Sequence, residues 1–235
     1  MIEGLAKQLA IARRLTDHCP MPEFIETGPA DAGATLLFAH GAGAGMESPF
    51  LGQIAELLAA RQVRVLRFEF AYMASRRATG KRKPPPKADS LGAEYRAAIA
   101  EVRARIGGGP LAIGGKSMGG RVASLVADDQ MLQGAVSGLV CLGYPFHPPG
   151  TPEQTRTAHL VGLKTPALIV QGERDPFGNR AEVEGYALAP AIQLLWIGDG
   201  DHDLGPRGAS GFTRKGNLAA AADAVAAFLA GLATA

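Results

Sequence analysis

The sequence predicts an α/β fold: a mostly parallel central sheet with helices on both faces and a minimal cap. Three observations carry this expectation. From about residue 34, short continuous apolar runs alternate with segments of helical periodicity, the pattern of strands covered on both faces by crossover helices. A chain of 235 residues suits one domain spanning 1–235 and leaves little room for a second. Hydrophobic residues make up 47% of it, enough for a substantial core.

The elements follow in order. "MIEGLAKQLAIARRL" spaces Ile2, Leu5, Leu9 and Ala12 as an amphipathic helix, so residues 1–20 are expected to form an N-terminal helical extension. "ATLLFAH" (34–40) is a buried strand. "SPFLGQIAELLAARQ" (48–62) is a helix, with Ser48 suited to the N-cap and Pro49 to the first helical position. "VRVLRFEF" (63–70) is the next strand, and "SLGAEYRAAIAEVRARIG" (90–107) is a helix with Leu91, Tyr95, Ile99, Val102 and Ile106 on one stripe. "PLAIGGK" is a strand and "MGGRVASLVAD" a helix. Strands are expected at 138–145, 166–175 and 192–201, with "EVEGYAL" helical between the last two and 217–233 as the closing helix. The segment 75–89, "SRRATGKRKPPPKAD", is basic and Pro-rich and reads as an irregular loop.

Bulk properties exclude several classes. The formal charge is only +2, which does not call for a polyanionic partner. Two cysteines, Cys19 and Cys141, make no disulfide framework, and with no secretory leader pattern they point to a reducing, cytoplasmic setting. No apolar run is long enough to span a membrane.

The chemistry centres on "GGGPLAIGGKSMGGRVASLVAD", Gly107 to Asp128. "GGKS" resembles the tail of a phosphate-binding loop, but the opening glycine of that motif would fall on Pro110, and "LAIG" reads as strand rather than loop. "GKSMG" fits G-x-S-x-G, with a strand before Ser117 and a helix after it. That is the nucleophile elbow, a tight turn that raises a serine for attack. Lys116 occupies the variable position before the serine, where a cation can pair with a carboxylate or a substrate anion, or lie on the surface in a salt bridge.

An elbow serine needs a base, an acid to orient it and donors for the oxyanion, and the chain supplies each in order. "QGERDPFG" puts Asp175 at a strand end, and "GDGDHDL" puts His202 just after the next strand. Parallel strands bring their C-terminal ends to one face, so Ser117, Asp175 and His202 are expected to converge there. "HGAGAG" (40–45) follows the first clear strand, so the oxyanion donors are expected to be the N–H groups of Met118 and Ala42. Gly41 and Gly43 would let backbone approach the substrate.

Together these residues resemble the α/β-hydrolase superfamily and its small, nearly lidless branch, similar to dienelactone hydrolases. "HGAGAGMESPF", "RFEFAYM", "KRKPPPK", "GGKSMGGR", "GYPFHPPG" and "QGERDPFG" look like the α/β-hydrolase-like domain of the testis-expressed-protein type. A related domain occurs in a subunit of a nonspecific-lethal histone acetyltransferase complex. The resemblance spans about residues 34–230. It implies an α/β-hydrolase fold and a serine hydrolase acting on a small to medium ester, thioester or related acyl compound without cofactor or metal. It also implies an alternative, a non-catalytic protein-interaction module on the same scaffold.

Other residues complete the candidate set. His40 is expected to be a hydrogen-bonded structural residue, with substrate contact as the alternative. His147 is a second substrate candidate, on a segment (146–162) that could form a small cap; His159 is expected to be structural and His18 to lie on the surface. Asp201, Asp203 and Glu173 are alternative acids to Asp175. Arg76 and Arg77, with Lys81, Arg82, Lys83 and Lys87, would emerge on the catalytic face and attract an anionic substrate. The segment lacks the interleaved aromatics of a nucleic-acid binder.

Overall fold

A computed structural model of the chain describes residues 22–82, 84–106 and 108–232. The expected N-terminal helix, His18, Cys19 and Lys83 lie outside the described residues. The strands are β1 (Phe24–Thr27), β2 (Ala34–Ala39), β3 (Val63–Phe68), β4 (Leu111–Lys116), β5 (Gly138–Leu142), β6 (Ala167–Gly172) and β7 (Ile192–Ile197). The α-helices are α1 (Pro49–Ala59), α2 (Ala71–Thr79), α3 (Gly92–Ile106), α4 (Met118–Leu132), α5 (Arg180–Val183) and α6 (Arg214–Leu232). Short 3₁₀ turns cover Ala88–Leu91 and Ala158–Leu160.

The strands form one 7-stranded sheet in the order β1-β3-β2-β4-β5-β6-β7. β1 runs antiparallel to β3, pairing Phe24 with Phe68, and the other pairings are parallel. Alternate side chains enter opposite cores. Leu37 and Ala39 pack with Tyr95, Ile99, Val122 and Val126 from α3 and α4. Leu36 and Phe38 pack with Leu51, Ile54, Leu218 and Val225 from α1 and α6. Burial on both faces explains the unbroken apolar runs of the central strands. No helix among the described residues is long and apolar enough to cross a membrane.

Several expectations change in detail. The basic segment 75–89 is not irregular throughout: α2 carries it to Thr79, and a left-handed Gly80 (φ 69°) ends that helix. Arg76 and Arg77 therefore stand on a helix. The helix expected over "EVEGYAL" is only α5, opened by an Asn179–Glu182 capping box. Ser48 does precede α1, but its side chain makes no capping hydrogen bond. The strand β1, "FIET", was not expected. The 146–162 segment is anchored in the core by Phe146 and Leu160.

One polar contact inside the core sets the position of the strand that leads into Ser117. The Tyr95 hydroxyl accepts from Gly114 N at 2.9 Å, with Gly114 O at 2.6 Å and Leu37 O at 3.1 Å as acceptors for its proton. It thus sits between neighbouring strands β2 and β4, and burial pushes its own ionisation well above the usual phenol range. Tyr95→Phe is expected to lower stability by about 1–3 kcal/mol, because Gly114 N–H loses a buried partner. Urea unfolding measures this, and an unchanged midpoint would show that the hydroxyl is not needed.

Candidate active site

The elbow forms as the motif predicts. Ser117 joins β4 to α4 at φ 51° and ψ −116°, a conformation that costs a non-glycine residue strain and persists only when its surroundings enforce it. Two hydrogen bonds do so. Ser117 N donates to Leu142 O at 3.0 Å, and Ser117 O accepts from Arg121 N at 3.1 Å. The flanking glycines leave room for the turn. A Cβ on Gly119 would lie 2.6 Å from His40 O, and one on Gly115 would lie 2.5 Å from the Gly119 carbonyl carbon. Because "LAIGGK" is strand β4, no phosphate-wrapping loop exists at this position.

Asp175 follows β6 and is fully buried. Its Oδ2 accepts from His202 Nδ1 at 2.8 Å and from Gln171 Nε2 at 2.9 Å, and its Oδ1 accepts from Phe177 N at 2.8 Å. A carboxylate only accepts, so Nδ1 carries a proton, and in the neutral ring Nε2 is the nitrogen left with the lone pair. The His202 ring also packs on Phe177, with centroids 4.3 Å apart. Neither Ser117 Oγ nor His202 Nε2 has a hydrogen-bond partner among the described residues, so the two are not bonded to each other. Such bonds often close only in the substrate complex.

The glycine loop lies against the elbow. A Cβ on Gly41 would be 3.7 Å from Ser117 Cβ. Tyr72 Oη donates to Ala42 O at 3.2 Å, and Arg76 Nη1 donates to Gly43 O at 3.1 Å, so α2 clamps the loop from behind. Burial pushes the Tyr72 hydroxyl up to about 12, which keeps it a donor. Met118 N is the first amide of α4 and has no acceptor within the helix. Ala42 N has no hydrogen-bond partner among the described residues. Both are free to serve as oxyanion donors.

Several candidates are occupied elsewhere. His40 is buried; its Nδ1 donates to Gly41 O at 2.6 Å and its Nε2 accepts from Phe70 N at 3.2 Å. It shapes the glycine loop and cannot also contact substrate. Burial holds its pKa below the ordinary value. His147 is likewise buried, with Nδ1 on Pro148 O at 2.8 Å and Nε2 on Glu182 Oε2 at 3.1 Å, so it is a structural residue rather than a substrate contact. His159 bonds Ser124 Oγ at 2.8 Å. Arg77 is held by Glu23 at 2.8 Å and Glu69 at 3.0 Å, so its charge is already paired with two carboxylates.

Lys116 is neither on the surface nor free for a substrate anion. Its side chain is buried, and Nζ lies 3.3 Å from Asp203 Oδ1 and 5.5 Å from the centre of the Phe50 ring. Burial lowers its pKa, opposed by Asp203, Asp175 and Asp201. It sits beside the histidine: a Cβ on Gly143 (φ 62°) would be 3.0 Å from Lys116 Nζ and 3.3 Å from His202 Nδ1. The alternative acids are also occupied. Asp201 Oδ1 accepts from Asp203 N and Gly205 N within its own turn. Glu173 accepts from Asp199 N and Arg180. No group of three metal-ligating side chains occurs among the described residues.

Gln171 was not singled out in the sequence. It is buried, accepts from Tyr144 N at 2.7 Å, and donates to Tyr144 O, Asp175 Oδ2 and Gly178 O. The available signal was a lone amide in the apolar strand "ALIVQG". Gln171→Leu leaves Tyr144 N–H and part of the Asp175 carboxylate without partners. The expected loss is about 1–3 kcal/mol, readable by urea denaturation; an unaltered transition would remove Gln171 from this role.

A family model described as an alpha/beta hydrolase domain matches residues 32–230. Among solved structures, dienelactone hydrolase from Anabaena variabilis is 21% identical with a TM-score of 0.66, covering 90% of this chain and 99% of that one. A serine hydrolase without lid from Xanthomonas campestris is 18% identical, with a TM-score of 0.63 and coverage of 88% and 89%. A serine hydrolase homologue from Coxiella burnetii is 18% identical, with a TM-score of 0.65 and coverage of 88% and 91%. At these identities the structural likeness establishes the fold.

Proposed function

Because the chain belongs to the alpha/beta hydrolase family, we propose that it is a serine hydrolase cleaving a small to medium ester, thioester or related acyl compound. The observation that carries this reading is Ser117 at φ 51° on the elbow, at the same strand ends as an Asp175–His202 pair bonded at 2.8 Å. Ser117 Oγ attacks the acyl carbon and passes its proton to His202 Nε2. Asp175 holds the tautomer that can receive it and stabilises the resulting imidazolium. The carbonyl oxygen becomes an oxyanion, which Met118 N–H and Ala42 N–H stabilise. His202 returns the proton to the leaving group, and an acyl-Ser117 ester remains. Water, deprotonated by His202, attacks that ester, and the proton returns to Ser117 Oγ as the acid departs.

The competing reading is an interaction module on the same scaffold, favoured by the open Ser117–His202 contact. A fluorophosphonate probe separates the two. Native protein is expected to label stoichiometrically, and Ser117→Ala not at all. His202→Gln should slow labelling by about 10²-fold or more, since the base is lost. Folded native protein that stays unlabelled would favour the interaction module.

A further inference from the structure

We propose that Arg121 and Arg156 form an anion subsite beside Ser117, which takes a phosphate or carboxylate group carried by the acyl substrate. This rests on the hydrolase reading and narrows its substrate class. Arg121 lies one helical turn beyond Ser117, and its N–H donates to Ser117 O at 3.1 Å. Helix positions four apart share a face, and helical side chains lean toward the N-terminus. Arg121 therefore stands on the part of α4 nearest the nucleophile. Arg156 comes from the segment that leaves β5, where its N–H donates to Phe146 O at 2.7 Å.

A buried polar network mounts the two residues together. Ser124 Oγ donates to Arg121 O at 2.7 Å and bonds His159 Nε2 at 2.8 Å. Tyr144 Oη lies 3.4 Å from the same His159 nitrogen and donates to Arg156 O at 3.1 Å. Both arginine backbones are thus fixed by side chains that have no part in the acyl-transfer steps.

The charges in this cluster do not balance. Arg121 Nε is buried with no hydrogen-bond partner. Its Nη2 reaches only Asp89 Oδ2, at 3.6 Å, on a side chain that is 67% exposed. The half-buried Arg156 guanidinium has no hydrogen bond or ion pair among the described residues. Burial first, then repulsion from Arg121, holds the Arg156 pKa below the ordinary arginine value. The same two causes lower His159. By contrast, Arg64 and Arg180 are paired at close range, Arg64 with Glu26 at 2.6 Å and Arg180 with Glu184 at 2.7 Å, while Arg67 and Arg103 are met by backbone carbonyls. Arg121 has only that long contact to one exposed carboxylate and Arg156 has none among the described residues, so an oxyanion between the planar guanidinium forks would supply the missing acceptor with directional hydrogen bonds.

The test separates the subsite from turnover. Inorganic phosphate and succinate are titrated calorimetrically into Ser117→Ala protein at low ionic strength. Saturable binding of either anion is expected, weakened about tenfold or more by Arg156→Gln and partly restored by Arg156→Lys. The tighter of the two anions identifies the group. The same anion should inhibit 4-nitrophenyl acetate hydrolysis competitively in protein that retains Ser117. No binding, or equal binding in Arg156→Gln protein of unchanged melting temperature, overturns the subsite. Non-competitive inhibition overturns its placement beside Ser117. Arg156-dependent binding in a protein that hydrolyses no ester sinks the hydrolase reading and leaves the anion site standing.

Discussion

The candidate site depends on one steric constraint: the backbone around Ser117 touches the end of β2 with no space for side chains. Gly115 and Gly119 lie within backbone contact of Ala39 and His40, so the turn can close only if both lack a Cβ. That closure forces φ to 51° at the serine between them. It also starts α4 immediately, leaving Met118 N–H without an intrahelical acceptor beside Ser117. Strain, exposed amide and raised hydroxyl are three consequences of one close approach. The Tyr95 hydroxyl supports the same strand from below, because it satisfies Gly114 N within the ladder.

The second constraint is electrostatic. A carboxylate with no solvent exposure is tolerated only when its lone pairs are occupied. Asp175 meets that condition through His202, Gln171 and Phe177 N. The donors come from three places: β6, the turn after it, and the turn after β7. The aspartate consequently fixes the relative position of those turns as well as the imidazole tautomer. Lys116 contributes a buried cation on the same side, tied to Asp203 rather than open to a ligand. Local charge near His202 is therefore shared among Lys116, Asp175, Asp201 and Asp203.

Most of the sheet was legible because its strands are buried on both faces and leave continuous apolar runs. β1 was not, since "FIET" is an edge strand of 4 residues carrying charge, and nothing in its periodicity marks it. α2 was hidden for a different reason. Its sequence runs straight into a basic, Pro-rich stretch, and composition averaged over both looks like loop. The elbow and the order Ser117, Asp175, His202 were readable from strand–turn–helix context. The roles of Gln171 and Tyr72 were not, because an amide or phenol reveals its partner only once distant strands are placed side by side.

Charge shows the same limit more sharply. In the sequence the dense run around Arg76 and Arg77 looks like the cation reserve for an anionic ligand, while Arg121 and Arg156 are isolated letters. Folding reverses that order. Arg76 is committed to Gly43 O, and Arg77 to Glu23 and Glu69, so the helix that carries them acts as a clamp on the glycine loop. Arg121 and Arg156 are brought together by a helix and a segment that meet only in the folded chain, and the carboxylate near Arg121 is 3.6 Å away and exposed. A cation's availability is set by what the fold places within hydrogen-bonding distance of it. Cations close together in sequence can be taken up by different partners, a backbone carbonyl for Arg76 and two carboxylates for Arg77. Two that are distant in sequence can be left near one another with their charge uncompensated, and that field then acts on any anion that approaches them.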